Sequence, residues 1–270
     1  MLRRIFHIIF CMFILGQANA QSEFGNEWIK DYNKKYYSIQ VGKDGLYRIT
    51  YDALKKLGIE NTNADYFQLW NNGVEVALYT SKTNAPLSVD GYLEFYGKIN
   101  DGKFDTKMYA NPQYQTSDQW SLLTDTAVYF LTINPTSINQ RYSLRANNSL
   151  TSSLTPEAYF IHTYRYAFKE QINPGNPNVI AGVNVYSSSF DEGEGWTSRG
   201  ITSSKSISLA IPNLQVAGTG PEASVKVNFF GGSLNTRPVT VQINGVPIIN
   251  AYPLSGFSGK DTTVAVAKNK

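Results

Sequence analysis

The chain has 270 residues, 17% of them charged, and a formal net charge of +3. That balance excludes nucleic acid and anionic membrane as expected partners, because attraction to phosphate needs a basic excess or basic clusters. The length suits one large or two ordinary domains, and it allows a sufficient core without disulfides.

Met1 to Ala20 opens with Arg3 and Arg4, continues as an apolar run from Ile5 to Leu15, and closes on Ala18-Asn19-Ala20 before Gln21. A charged start, a short apolar centre and an A-x-A site are the layout of a secretory signal peptide, residues 1–20. The apolar run falls short of the roughly 18 to 20 residues that span a bilayer, so no transmembrane anchor is expected. The expected location is beyond the inner membrane, secreted or at the cell surface. Cleavage would remove Cys11, the only cysteine, and leave His162 as the only histidine, with a net charge of about +1.

The exported part reads as mainly β. Tyr37–Val41 and Leu46–Thr50 alternate polar and apolar side chains around Gly42-Lys43-Asp44-Gly45, which predicts a β-hairpin. Thr50 is placed to cap a short helix, Tyr51–Leu57, that stops at Gly58. Phe67–Trp70 and Val74–Tyr79 flank Asn71-Asn72-Gly73, a second hairpin. Tyr92–Tyr96 and Val128–Ile133 are apolar, aromatic-rich runs expected as buried strands. The polar stretch Gly97–Ser121 between them is long for a bare connection and predicts local loop structure.

Arg141–Thr155, rich in Asn and Ser before Pro156, is the expected domain boundary. It separates a β-rich N-terminal domain with one short helix, residues 21–150, from a β-sandwich or jelly-roll-like domain, residues 151–270. In the second domain Tyr159–Phe168, Val183–Phe190, Lys205–Ile211, Ser224–Phe230, Val239–Ile243 and Thr262–Ala267 read as strands. The sequence stops directly after one of them, so the domain is expected to be truncated at its C-terminus.

Candidate chemistry is sparse. A Ser-His-Asp system would have to use His162, which sits at an alternating position among aromatics and reads as structural. Metal sites built on His or Cys are excluded by their number. Asn100-Asp101-Gly102-Lys103-Phe104-Asp105 spaces oxygen ligands around a glycine, as Ca²⁺ would require. It lacks the full loop pattern and its distal glutamate, so a hydrogen-bonded turn is expected. Asp191-Glu192-Gly193-Glu194-Gly195-Trp196 sets two carboxylates beside a tryptophan, the ingredients of a glycosidase or sugar-binding face. The preferred reading is a loop whose glycines permit the turn and whose Trp196 packs inward. Gly218-Thr219-Gly220 and Gly231-Gly232 precede no helix and make no phosphate cradle. No catalytic, cofactor-binding or metal residue is assigned, and no cofactor is expected.

Several of these runs together resemble the N-terminal region of gingipain-like cysteine peptidases of Bacteroidetes, proteins handled by the type IX secretion system. The likeness rests on Tyr36-Tyr37-Ser38-Ile39-Gln40-Val41 with Asp44-Gly45-Leu46-Tyr47-Arg48-Ile49. It continues through Leu93-Glu94-Phe95-Tyr96-Gly97 with Asn100-Asp101-Gly102, then Leu123 to Thr132, then Glu192-Gly193-Glu194-Gly195-Trp196. The resemblance implies catalysis by a His and a nucleophilic Cys in a caspase-like α/β domain downstream, together with a C-terminal sorting domain. Neither is visible here, so no catalytic residue carries over. The expected function is a non-catalytic, propeptide-like or scaffold region. Its expected partners are the downstream peptidase domain of the same polypeptide and the type IX secretion machinery. A cell-surface adhesin module binding glycan or protein is the alternative, and a hydrolase built on Glu192 and Glu194 comes third.

Overall fold

Two separate pairing patterns organise the backbone. The computed structural model describes residues 29, 31–136, 138–146, 155–202, 205–211 and 217–268. The signal-peptide segment lies outside the described residues, as does part of the expected domain boundary. The chain divides into one unit ending at Ala146, interrupted between Ile99 and Thr126, and a second made of Asn100–Asp125 and the residues after Ala146.

The first unit contains β1 (Tyr37–Val41), β2 (Gly45–Thr50), helix α1 (Tyr51–Lys56), β3 (Phe67–Asn71), β4 (Val74–Val76), β5 (Tyr79–Thr80), β6 (Tyr92–Gly97) and β7 (Ala127–Ile133). Two antiparallel sheets result, in the orders β1-β7-β3-β4 and β2-β6-β5. Alternation decides what they bury: Val41, Ile49, Leu69, Leu93, Phe95, Tyr129 and Leu131 face a shared core. Phe95 on β6 joins the sheets. Its ring stacks on Tyr47 of β2 at 5.6 Å and meets Tyr129 of β7 at 5.1 Å.

The expected hairpin of Tyr37–Val41 with Leu46–Thr50 does not form. β1 pairs with β7, from Tyr37 opposite Leu131 to Val41 opposite Ala127, while β2 pairs with β6. The Asp44-Gly45 corner passes the chain from one sheet to the other, and Asp44 Oδ1 accepts from the Ile99 amide at 2.8 Å instead of closing a hairpin. Both strands gain long apolar partners by this exchange, and Val41 and Ile49 enter one core from different sheets.

The helix cap and the second hairpin form, but the expected strand Val74–Tyr79 breaks into β4, paired with β3, and β5, which starts at Tyr79 and pairs with β6 in the other sheet. Thr50 Oγ1 accepts from the Ala53 amide and caps α1, whose Leu54 is fully buried. β3 and β4 form a hairpin across Asn72 (φ 49°) and Gly73 (φ 77°), the paired positive φ of a type I′ turn. Past β7, the Arg141 guanidinium donates to the carbonyls of Ala64, Asp65 and Phe67 at 3.2, 2.8 and 2.7 Å, so this return segment is tied beneath β3. Burial pulls the Arg141 pKa below its ordinary value, against the pull of Asp65 and Glu75.

Residues 100–125, expected within the N-terminal domain, leave between β6 and β7 and pack with the second unit. Local structure is present there as expected, in two 3-10 turns, Phe104–Met108 and Pro112–Tyr114. The rest of the second unit comprises β8 (Gln171–Asn173), β9 (Asn178–Ile180), β10 (Val183–Val185), β11 (Gly195–Thr197), β12 (Ala223–Phe230), β13 (Arg237–Ile243), β14 (Val246–Leu254) and β15 (Gly259–Val266). The described residues form four two-stranded antiparallel pairs, β8 with β11, β9 with β10, β12 with β15 and β13 with β14, so this unit is β-rich as expected. A ring contact at 5.8 Å joins Phe229 of β12 to Tyr252 of β14.

Tyr159–Phe168 and Lys205–Ile211, expected as strands, are not strands here, and Val183–Phe190 shortens to β10. Alternation supplies propensity, but a strand exists only when a neighbour takes up its backbone groups. Phe160 is 86% and Ile161 77% exposed, and β15 pairs only with β12 among the described residues. Open edges and exposed apolar residues of this kind are templates for association. The purified chain is therefore expected to self-associate in sedimentation velocity as its concentration rises. One monomeric boundary at every concentration would refute this. Among the described residues, no helix is long and apolar enough to cross a membrane.

Candidate functional site

The acidic turn between β10 and β11 is held by hydrogen bonds from several parts of the second unit. Asp191 Oδ1 accepts from the Asn176 amide at 3.2 Å, and Glu194 Oε2 accepts from the Asp191 amide at 3.1 Å. Glu192 Oε1 accepts from the Gly259 amide at the start of β15, at 3.0 Å. The turn's own carbonyls are used as well: Asn173 Nδ2 donates to Gly193 O at 2.8 Å, and the Tyr109 hydroxyl donates to Glu194 O at 2.6 Å. All three carboxylates thus accept from backbone N–H groups. Burial raises the Glu194 pKa above its ordinary value; the Asp191 amide opposes the rise and the Asp191 charge adds to it.

Tyr109, on the 100–125 excursion, is buried, with its ring edge-on to Phe190 at 5.5 Å. Burial pushes its phenol well above the usual tyrosine range, so it stays a neutral donor to Glu194 O. Asp105 is also buried, and its Oδ2 accepts from the Leu122 amide at 2.7 Å. Asp101 instead accepts from the Lys103 amide at 3.1 Å and pairs with the Lys103 ammonium. Asp101 thus closes a local turn, whereas Asp105 reaches Leu122, 17 residues along the chain. Among the described residues, no group of three or more His, Cys, Asp or Glu is placed to hold a metal ion.

Trp196 is half-buried and packs as the sequence suggests. Its Nε1 donates to Ser121 O at 2.8 Å, and Trp120 Nε1 donates to Ala167 O at 3.0 Å. With both indole N–H groups held by backbone carbonyls, the ring planes are fixed. The Lys169 ammonium lies 4.9 Å from the Trp120 ring centre and 5.1 Å from that of Trp196, and pairs with Asp125. Two buried oxygens border this cluster without hydrogen-bond partners, Asp125 Oδ1 and Thr197 Oγ1. An ammonium over two indole faces is a cation–π clamp, worth about 1 to 2 kcal/mol where partly desolvated.

Trp120, Lys169 and Tyr109 escaped sequence reasoning. They lie far from Trp196 along the chain, and a lone lysine carries no local signal. A cue was present in Trp120 itself, a large aromatic in an otherwise polar stretch. His162 is exposed on the unpaired segment that precedes Lys169. No family model matches the chain, and neither the curated proteins nor the solved structures contain a match to it.

Proposed function

We propose that this chain is the non-catalytic amino-terminal region of an exported, gingipain-like cysteine peptidase, serving as a scaffold or propeptide-like segment for a caspase-like domain in the same polypeptide. The observation that supports this reading is the use of the acidic turn. Asp191 and Glu192 accept from the distant amides of Asn176 and Gly259, and Glu194 accepts from the Asp191 amide within the turn, so the carboxylates serve as structural ties. The aromatic residues beside them clamp a lysine and complete the same junction. Export and handling by the type IX machinery belong to this reading through the sequence resemblance alone.

The test is to capture the endogenous product with an antibody against this chain and map its peptides by mass spectrometry. A single polypeptide whose further peptides include a domain with a catalytic His and Cys is the expected result. A product whose peptides all fall within residues 21–270 would overturn it. The exposed aromatics Phe160, Tyr164 and Tyr166 favour a second reading, a surface module that binds glycan or protein. Saturable binding on a glycan array, abolished by Phe160→Ser with Tyr166→Ser, would select that reading.

A further inference from the structure

A half-open pocket of about 330 Å³ lies in the first unit, where β1 begins, β7 ends and the chain turns after α1. Its lining includes Lys34, Lys35, Tyr37, Leu57, Ile59 and Ile133. The turn is built by Gly58, whose φ of +71° lets its amide reach Lys55 O at 3.0 Å while the Ile59 amide reaches Leu54 O at 3.1 Å. That reversal buries Ile59 and leaves Leu57 44% exposed, as an apolar wall open to solvent. On the other side, buried Thr132 donates its hydroxyl to Lys35 O at 2.9 Å and fixes the backbone at the rim.

The charge of this pocket has one sign. Lys34 Nζ lies 3.5 Å from Oδ1 of the neutral Asn134, and among the described residues no ion pair involves Lys34 or Lys35. Lys55 and Lys56, in the last turn of α1 just before Leu57, add positive potential, and no carboxylate lines the pocket among the described residues. The volume falls in the roughly 300 to 1,000 Å³ range of small-ligand sites, which combine apolar walls with a few polar groups that fix orientation.

We propose that this pocket binds an aliphatic carboxylate, with the alkyl part on Leu57, Ile59 and Ile133 and the carboxylate at the ammonium groups of Lys34 and Lys35. Ammonium–carboxylate hydrogen bonds orient the acid, and burial of the alkyl chain holds it. The same chemistry comes from a free fatty acid or from the C-terminus of a peptide ending in leucine. The proposal does not rest on the peptidase-region reading and survives or fails without it.

The test is an NMR titration of the isotope-labelled chain with sodium octanoate. Saturable shifts are expected at the amides of Lys35, Leu57, Gly58, Ile59 and Ile133, with none of comparable size for octanol. Lys34→Glu with Lys35→Glu should weaken binding by about tenfold or more, and Lys34→Arg with Lys35→Arg should retain it. Lys34→Met with Lys35→Met gives the same readout should the glutamates disturb the fold. A leucine-ended tripeptide, compared with its C-terminal amide, separates the two sources: tighter binding than octanoate identifies a peptide terminus, weaker binding a free acid. Equal binding of octanol and octanoate, or no saturable shift with octanoate, would overturn the proposal.

Discussion

Replacing Phe95 by alanine is expected to lower the unfolding free energy by about 4 kcal/mol, because truncating a buried phenylalanine loses its transfer free energy and leaves a cavity. This side chain is fully buried, and its ring is in contact with both sheets, at Tyr47 and at Tyr129. Each aromatic pair adds about 0.5 to 1.5 kcal/mol beyond area burial. The effect should spread to the point where the chain leaves the first unit. The Tyr129 hydroxyl accepts from the Lys98 amide at 2.8 Å, and a Tyr129 ring freed on one side holds that bond less well. Phe95→Leu keeps most of the volume and should cost only about 1 to 2 kcal/mol. Urea unfolding of the three proteins reads both numbers, and amide exchange at Lys98 reads the coupling. An alanine variant within about 1 kcal/mol of the parent would mean that the two sheets do not share a core.

The strand that carries Phe95 was legible from its apolar, aromatic-rich run between turn residues, as was β7. Capping by Thr50 and the Asn72-Gly73 hairpin were legible for the same reason: the physics is local and the residue types are specific to it. Pairing was not. Gly42 to Gly45 has the composition of a hairpin turn, and nothing in those four residues says that β1 and β2 will prefer β7 and β6. The alternation of Tyr159–Phe168 and Lys205–Ile211 reports propensity, whereas strand formation also needs a partner. In the second unit, the acidic turn was readable as a turn with an inward Trp196. Its real character depends on Tyr109, Asn173 and Gly259, and the clamp on Trp120 and Lys169. Those contacts join residues far apart in the chain, and no local pattern announces them.

Gly193 tests the acidic turn as a structural junction. Its φ of +79° is in the left-handed region, and a Cβ built there would lie 2.1 Å from Cδ2 and 2.2 Å from Cγ of Phe230, at the end of β12. Alanine should therefore suffer two separate penalties: about 1 kcal/mol of backbone strain, and displacement of a ring that cannot stay where it is. Gly245, in the turn between β13 and β14, isolates the first penalty. Its φ is +81° and a Cβ would meet nothing within 4 Å. Gly245→Ala is expected to cost about 1 kcal/mol, and Gly193→Ala about 3 kcal/mol, within the usual range for overpacking added to strain. The excess should fall mainly on the second unit, since Gly193 O holds Asn173 and the neighbouring Glu192 holds Gly259. Trp196 fluorescence, following its hydrogen bond to Ser121, should then shift toward that of a solvated indole in Gly193→Ala and not in Gly245→Ala. Removing the ring as well, in Gly193→Ala with Phe230→Ala, should make the two changes less than additive, because the second relieves the clash created by the first. Equal destabilisation by the two single glycine substitutions would show that the turn is not packed against β12, and the acidic turn would lose its role as a tie.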